Sequence, residues 1–263
     1  MKHVFIIDLD GTIIGDITPQ IVMWELSRGH SGIRFDTKGL QKKLRDGDIV
    51  RPGFVEFVNY IQSLGYLVYI YTASDKAWAN VIISQIEKVF NIRFERPIFT
   101  RQECQFTNNQ FMKSISFIQK GLTRSLIRKH IPTMDLYKRV TIIDNTNVWH
   151  NADQVNLVVC PSYSYRHPEN IACQISHELF QKHLSTINDV MIKYIPEYNS
   201  PTYDYWSFQR RVSIFYVNSI GLLKQSQSQI KQDRFFYQLI KLFHAHPKHV
   251  FAKYINRSLR NNV

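Results

Sequence analysis

Val4-Phe5-Ile6-Ile7-Asp8-Leu9-Asp10-Gly11-Thr12 sets four apolar residues directly before two acids spaced one residue apart. An apolar run this short and rich in β-branched side chains reads as a parallel strand buried on both faces. In an open α/β sheet, ligands gather beyond the carboxyl ends of the strands. Asp8 and Asp10 stand at such an end, and Gly11 relieves crowding where backbone approaches a ligand.

Working outward, runs of the same kind occupy residues 66–71, 97–99, 140–143 and 155–159. Between them, helical spacing puts Phe54, Phe57, Val58 and Ile61 on one face of residues 53–64, and Val81, Ile82, Ile86 and Val89 on one face of residues 78–90. Strands alternating with helices predict an α/β fold, a doubly wound parallel sheet. Residues 16–50 interrupt the alternation with a helix after Pro19, a loop over 29–32 and a basic stretch at Lys42, Lys43 and Arg45. They read as a small insertion or cap after the first strand, lying over the active face. Residues 113–139 are basic with helical spacing and are expected to pack on the sheet before the fourth strand.

From residue 168 onward strand patterns disappear, and Pro168 suits the first turn of a helix. Phe180, Leu184, Ile187, Met191 and Tyr194 repeat at three and four up to Pro196, and further helical patterns cover 208–223 and 230–243. The polar string 224–229 reads as a surface connection between them. The predicted division is a catalytic domain over 1–167 followed by an all-helical, basic extension over 168–263.

Hydrophobic residues make up 44% and charged residues 21%, which places the chain among folded globular proteins. Its formal charge of +12 favours an anionic partner: nucleic acid, a phosphorylated or acidic protein, or a membrane surface. The excess is densest toward the end, with 21 Lys/Arg against 16 Asp/Glu in 1–175 and 12 against 5 in 176–263. Cys104, Cys160 and Cys173 show neither even pairing nor close C-x-x-C spacing, so a reducing compartment is expected and a structural zinc is not. The opening apolar run is too short for a secretory leader, and no uncharged stretch of membrane-spanning length follows. The expected location is intracellular and soluble, in cytoplasm or nucleus, and a virus-encoded origin fits equally.

The two acids suit phosphoryl transfer. A carboxylate such as Asp8 can attack phosphorus to give an aspartyl-phosphate, splitting one hard hydrolysis into two easier steps. A second carboxyl, Asp10, can protonate the leaving oxygen and then activate water. Because carboxylate and phosphate repel, a hard cation with oxygen ligands is required, and magnesium fits. Thr72 ends the second strong run, and its hydroxyl with neighbouring backbone amides, that of Ala73 among them, can hold a phosphate oxygen. The bland reading of this stretch is a helix N-cap at Ser74 or Asp75. Asp144 and Asn145 end the run at 140–143, again at a strand's carboxyl end, where a turn is the bland reading. A cation to steady phosphate and nucleophile is still needed; Lys113 is the first choice, with Lys120, Lys129, Lys138 and Arg139 competing.

Asp-Leu-Asp-Gly-Thr after Val-Phe-Ile-Ile resembles the first motif of the haloacid-dehalogenase (HAD) superfamily. Within it, Arg51-Pro52-Gly53, Thr72-Ala73-Ser74, Arg101-Gln102-Glu103-Cys104 and Asp144-Asn145-Thr146 are similar, in order, to motifs of the FCP/SCP group of RNA polymerase II carboxy-terminal-domain phosphatases, the NLI-interacting-factor-like group. The resemblance runs from residue 2 to about residue 170. It implies a HAD-like fold, Asp8 as nucleophile, Asp10 as acid and base, and Thr72 and Lys113 as phosphate holders. Ala73 and Arg101 would join the substrate-binding residues. Magnesium would be bound by Asp8, the Asp10 carbonyl and Asn145, with Asp144 beside it. Gly11 stands where that group usually has Glu, and Thr146-Asn147 where it has Ser-Pro.

The expected function is therefore a magnesium-dependent phosphatase acting on phosphoserine or phosphothreonine of a protein. A phosphatase for nucleotides or nucleic-acid ends is the enzymatic alternative. A HAD-fold binding or assembly protein is the other, because Tyr203-Asp204-Tyr205-Trp206-Ser207-Phe208-Gln209-Arg210-Arg211 and Arg234-Phe235-Phe236-Tyr237 interleave aromatics with bases. Such a mixture serves nucleic acid or a larger complex, or else is simply an amphipathic helix with its aromatics in the core. His244, His246 and His249, beside Pro247, lack acidic or cysteine partners nearby in sequence and are not read as a metal site.

Overall fold

The structure, a computed structural model, describes residues 2–29, 32–246 and 250–260. Along the chain come β1 (Val4–Ile7), α1 (Thr18–Ser27), α2 (Thr37–Asp46), α3 (Phe54–Ser63), β2 (Leu67–Ile70) and α4 (Lys76–Phe90). There follow β3 (Gln105–Thr107), β4 (Gln110–Met112), α5 (Ile115–Arg128), β5 (Val140–Asp144) and β6 (Leu157–Val159). The rest is helical: α6 (His177–Lys182), α7 (Leu184–Tyr194), α8 (Tyr205–Gln232), α9 (Phe235–Ala245) and α10 (Ala252–Arg260).

The chain forms two compact units, one of Met1–Ile14, Val50–Tyr163 and Asp233–Val263, the other of Gly15–Ile49 and Ser164–Gln232. The expected linear division at 167/168 differs from this grouping. Residues 15–49 share a unit with 164–232, whereas α9 and α10 return to the unit that holds the sheet.

In the first unit, β1 is buried along its whole length, as a strand covered on both faces must be. The four-stranded sheet has the order β2-β1-β5-β6 and is parallel throughout. The strand order reverses at β1, which opens the crevice beyond its carboxyl end where such sheets bind ligands. Ile7 pairs with both Ile70 and Ile143, so β2, β1 and β5 leave the sheet level with one another. One face is covered by α5 through Ile118, Leu122 and Leu126 against Tyr69 and Phe99. On the other, α9 packs on α3, with Phe236 at 5.1 Å from Phe54 and 5.2 Å from Phe57, ring centre to ring centre. Phe243 reaches Phe5 of β1 at 6.0 Å, and α10 meets the sheet edge where Asn256 Nδ2 donates to the Leu157 carbonyl at 2.8 Å. The second unit is helical, with a core drawn from α1 (Val22, Leu26), α7 (Ile187, Met191) and α8 (Phe208, Val212).

Several expectations are corrected. Residues 97–99 form no strand: Phe99 makes a single parallel bridge to Tyr71, because Pro97 has no N–H to donate and a 3-10 turn starts at Arg101. The polar string 224–229 is the interior of the 28-residue α8, not a connection. Lys and Gln are good helix formers, and their polarity marks an exposed face. The repeat from Phe180 to Tyr194 is split at His183, whose φ of −123° ends α6 before α7 begins. Pro168 opens no helix; the next turn is a 3-10 turn at Ile171–Gln174, started by the Asn170 side chain. The β3–β4 hairpin was not legible as two strands, although its Asn108-Asn109 turn, with φ of 51° and 60°, has the left-handed pair that a two-residue hairpin favours.

Candidate active site

The ladder of β1 continues one residue past its end, since Asp8 N donates to the Ile143 carbonyl at 2.9 Å. This fixes the backbone that carries Asp8. The chain then folds back in a turn in which Ile13 N and Ile14 N both donate to the Leu9 carbonyl. Gly11, at φ 75°, makes the turn possible, and a Cβ there would stand 2.6 Å from Asn145 Nδ2. The turn returns Thr12 to the end of β5, where its hydroxyl accepts from Asn145 N at 2.9 Å and donates to Asn145 Oδ1 at 3.1 Å.

Lys113 is brought in by backbone pairing. Its N–H donates to the Val148 carbonyl at 2.8 Å and its carbonyl accepts from His150 N at 2.9 Å. The side chain, 2% exposed, places Nζ at 2.5 Å from Asp8 Oδ1 and 2.8 Å from Asp144 Oδ2. Asp144 is fully enclosed, its Oδ1 accepting from Thr146 N and Oγ1 and its Oδ2 from Lys113 and Trp149 Nε1. The competing cations are engaged elsewhere or lie at the surface: Lys129 pairs with Glu95, Lys138 with Asp135, Arg139 holds the carbonyls of Lys2, Pro132 and Met134, and Lys120 is exposed on α5.

One ammonium between two buried carboxylates leaves the pocket with an excess negative charge. Burial accordingly pushes the Asp8 carboxyl up to about 7; Lys113 opposes the shift, and Asp144 and Asp10 add to it. Burial disfavours the Lys113 charge too, but Asp8 and Asp144 together outweigh it and hold Lys113 above its ordinary value. Both directions follow from the same geometry.

Asp10, unlike Asp8, is exposed. Its Oδ2 accepts from Thr72 Oγ1 at 3.0 Å and from Ser74 Oγ at 2.6 Å. Thr72, at the exit of β2, thus aims Asp10 and also accepts from Ser74 N. Asp75 caps α4, accepting from Ala77 N and Trp78 N, so the N-cap reading of this stretch holds as well. Arg101 donates from Nε to the Ala73 carbonyl at 2.7 Å and lies 4.7 Å over the Phe111 ring of β4. The rest of its exposed guanidinium has no hydrogen-bond partner among the described residues.

The structure therefore gathers Asp8, Asp10, Thr72, Ala73, Arg101, Lys113, Asp144 and Asn145 at one end of one sheet. Ser74, Trp149 and Ser162 were missed. Ser74 carried a signal, sitting two residues after Thr72; Trp149 and Ser162 carried none, because they reach Asp144 and Asn145 only through folding. The aromatic and basic segments divide: Phe208, Phe235 and Phe236 are core, whereas Tyr203 and Trp206 are exposed. His244 stacks on Tyr60 at 4.3 Å; Pro247 and His249 lie outside the described residues. Among the described residues no helix is long and apolar enough to cross a membrane.

A parallel sheet carries paired aspartates at the exit of its central strand, and a threonine and a lysine-bound aspartate at the exits of its neighbours, the arrangement of a HAD-like phosphatase fold. More particularly, the profile of the NLI interacting factor-like phosphatases matches residues 3–191, and the chain belongs to that family. Among solved structures it is similar to Fcp1, an essential RNA polymerase II CTD phosphatase, at 18% identity and a TM-score of 0.39 over 88% of this chain and 54% of that one. Fission yeast Fcp1 bound to beryllium fluoride gives 18% identity and a TM-score of 0.37 over 88% and 67%. CbbY from Rhodobacter sphaeroides in complex with phosphate gives 13% and 0.36 over 64% and 90%. The chain thus spans about half the length of the first of these structures. No curated protein sequence matches it.

Proposed function

We propose that this protein is a magnesium-dependent phosphatase that releases phosphate from phosphoserine or phosphothreonine of a protein through an aspartyl-phosphate on Asp8. The buried Asp8–Lys113–Asp144 arrangement, with Asp10 aimed beside it, is the observation that carries the reading.

The donors suit a small hard cation. Asp8 Oδ2 and the Asp10 carbonyl accept no hydrogen bond among the described residues, and Asn145 Oδ1 accepts only that of Thr12. Asp144 does not suit the role of ligand, since both its oxygens are filled; it braces Lys113 beside the ligands. Magnesium held by Asp8, the Asp10 carbonyl and Asn145 would supply the positive charge that offsets repulsion between carboxylate and phosphate.

Lys113 holds the Asp8 carboxylate by Oδ1, which keeps it in place to attack phosphorus. As the new O–P bond forms, the bond to the serine or threonine oxygen breaks, and that oxygen takes a proton from Asp10. Thr72 and Ser74 hold Asp10 by Oδ2, which presents Oδ1 for the transfer. Asp10, now a carboxylate, accepts a proton from water as the water attacks the aspartyl-phosphate, returning Asp8 and releasing phosphate. The free edge of Arg101 and the chain's net positive charge favour a phosphorylated or acidic peptide at the mouth.

The intact chain should hydrolyse a generic aryl phosphate with Mg2+, and Asp8→Asn should abolish the activity. No turnover by the intact chain would sink the proposal. Phosphopeptides, nucleotides and 3′- or 5′-phosphorylated oligonucleotides assayed side by side fix the substrate class, and preference for oligonucleotides would replace the protein substrate.

A further inference from the structure

We infer that Arg51 is a positioning residue for Asn145, acting through residues 160–163 and braced by Asp233; the inference rests on reading Asn145 as a magnesium ligand. Arg51 is 1% exposed, an unusual place for a guanidinium. Its Nε donates to Asp233 Oδ2 at 2.9 Å across a sequence separation of 182, and its Nη1 donates to the Pro161 carbonyl at 2.9 Å and to Cys160 Sγ at 3.4 Å. The rings of Phe235, Phe236 and Tyr163 surround it at 4.9, 5.7 and 5.8 Å.

The segment that Arg51 holds runs along the back of the site. Cys160 N donates to the Asp144 carbonyl at 2.9 Å and Tyr163 N to the Gly11 carbonyl at 2.7 Å. Between them Ser162 Oγ accepts from Asn145 Nδ2 at 2.9 Å. That bond and the Thr12 hydroxyl, which donates to Oδ1 at 3.1 Å, together fix which end of the amide points where. With Nδ2 engaged by Ser162, Asn145 must present Oδ1, its only metal-binding atom, on the other side. Removing the Ser162 bond leaves the Thr12 hydroxyl alone to orient the amide, which is then freer to turn its N–H2 group toward the cation.

Arg51 also ties together segments of the first unit that lie far apart in the sequence. The backbone N–H of Arg51 donates to the Ile13 carbonyl at 2.8 Å, and its side chain takes Pro161 and Asp233. One residue therefore ties these segments of the first unit to the turn that follows Asp8 and Asp10. Asp233, whose Oδ1 accepts from Phe235 N at the start of α9, supplies the counter-charge.

The test uses full-length Arg51→Lys, Asp233→Asn and Ser162→Ala, and the double variant Asp233→Asn/Ser162→Ala. Mg2+ alone is titrated by calorimetry without substrate, at a temperature where circular dichroism shows each protein folded. Each single change is expected to raise the Mg2+ dissociation constant about tenfold or more. The double variant should lose little beyond Ser162→Ala, because both changes act through one amide. A purely structural Arg51 would lower the melting temperature and leave the Mg2+ constant alone. If Arg51→Lys does not fold, Asp233→Asn and the surface change Ser162→Ala still decide the matter. Wild-type Mg2+ affinity in folded Asp233→Asn, or fully multiplicative losses in the double variant, would overturn the inference and leave the phosphatase reading standing. Failure of the wild-type chain to bind Mg2+ would overturn both.

Discussion

Lys113 Nζ and Asp8 Oδ1 meet at 2.5 Å in a pocket where neither side chain is more than 7% exposed. With Asp144 on the other side of the same ammonium, both carboxylates are tolerable only because Lys113 lies between them. Lys113→Met would leave two carboxylates facing one another in the interior. The expected result is a loss of about 3–5 kcal/mol of stability together with turnover, read by urea unfolding and by aryl phosphate hydrolysis. Wild-type stability in that variant would contradict the buried ion arrangement.

Asp8→Asn should behave in the opposite way for stability. The Asp8 carboxyl is pushed up to about 7 by burial, so without metal the native state binds its proton more tightly than the unfolded chain does. Its stabilising contribution is present below the ordinary carboxylate range and is lost as pH rises toward 7. Metal-free protein is therefore expected to lose up to about 1.4 kcal/mol per pH unit from this group over that window. Asp8→Asn should remove that slope and raise the melting temperature at neutral pH while abolishing turnover. An unchanged pH profile of unfolding in Asp8→Asn would count against it.

In the proposed reaction Asp10 acts on the leaving oxygen, so the effect of its loss depends on the substrate. Asp10→Asn should slow phosphoserine hydrolysis by roughly 10²-fold or more, and an activated aryl phosphate much less, because an aryl oxide leaves without help. Thr72→Ala and Ser74→Ala should move the same ratio in the same direction by smaller factors. Equal losses on both substrates would remove Asp10 from the acid role.

Gly11→Ala tests the turn. The backbone at φ 75° and a Cβ 2.6 Å from Asn145 Nδ2 are incompatible without a shift. The expected result is a loss of about 1–2 kcal/mol and a weaker Mg2+ dependence of turnover, measured by denaturant unfolding and by Mg2+ titration of activity.

His3 gives an acid-side prediction away from the site. Thr141 Oγ1 donates its only hydrogen to the Val250 carbonyl, so His3 Nε2, 2.9 Å from that oxygen, must be the donor. Burial, reinforced by Arg139, lowers the His3 pKa to about 3. Between pH 6.5 and 3 the unfolded chain binds a proton that the native state refuses, so stability present above 6.5 is lost as pH falls through that window. In His3→Gln the acid side of the stability–pH curve should be flatter, as seen in melting temperatures between pH 7 and 4. An unaltered slope would show that His3 is not the group responsible.

The motifs of the candidate site were legible because each lies within a few residues of a strand whose composition announces it. Asp8, Thr72 and Asp144 each follow an apolar run, and parallel pairing brings strand ends level. Helices were legible as periods but not as boundaries. His183 breaks one, and 224–229 continues another, since polarity at the surface of a helix and polarity in a loop look alike in one dimension. Lys113 could be distinguished from its competitors only once Val148 and His150 had paired with its backbone.

The sequence by itself determined the sheet's central strand, the two acids at its exit and the family to which they belong, because those are properties of contiguous residues. Only the tertiary structure decided which lysine meets Asp8, that Ser74 and Thr72 aim Asp10, that α9 and α10 return to the sheet, and that Arg51 reaches Asp233. These are contacts between residues far apart in the chain, chosen by burial and charge pairing after the strands have assembled, and no local pattern of residues encodes them.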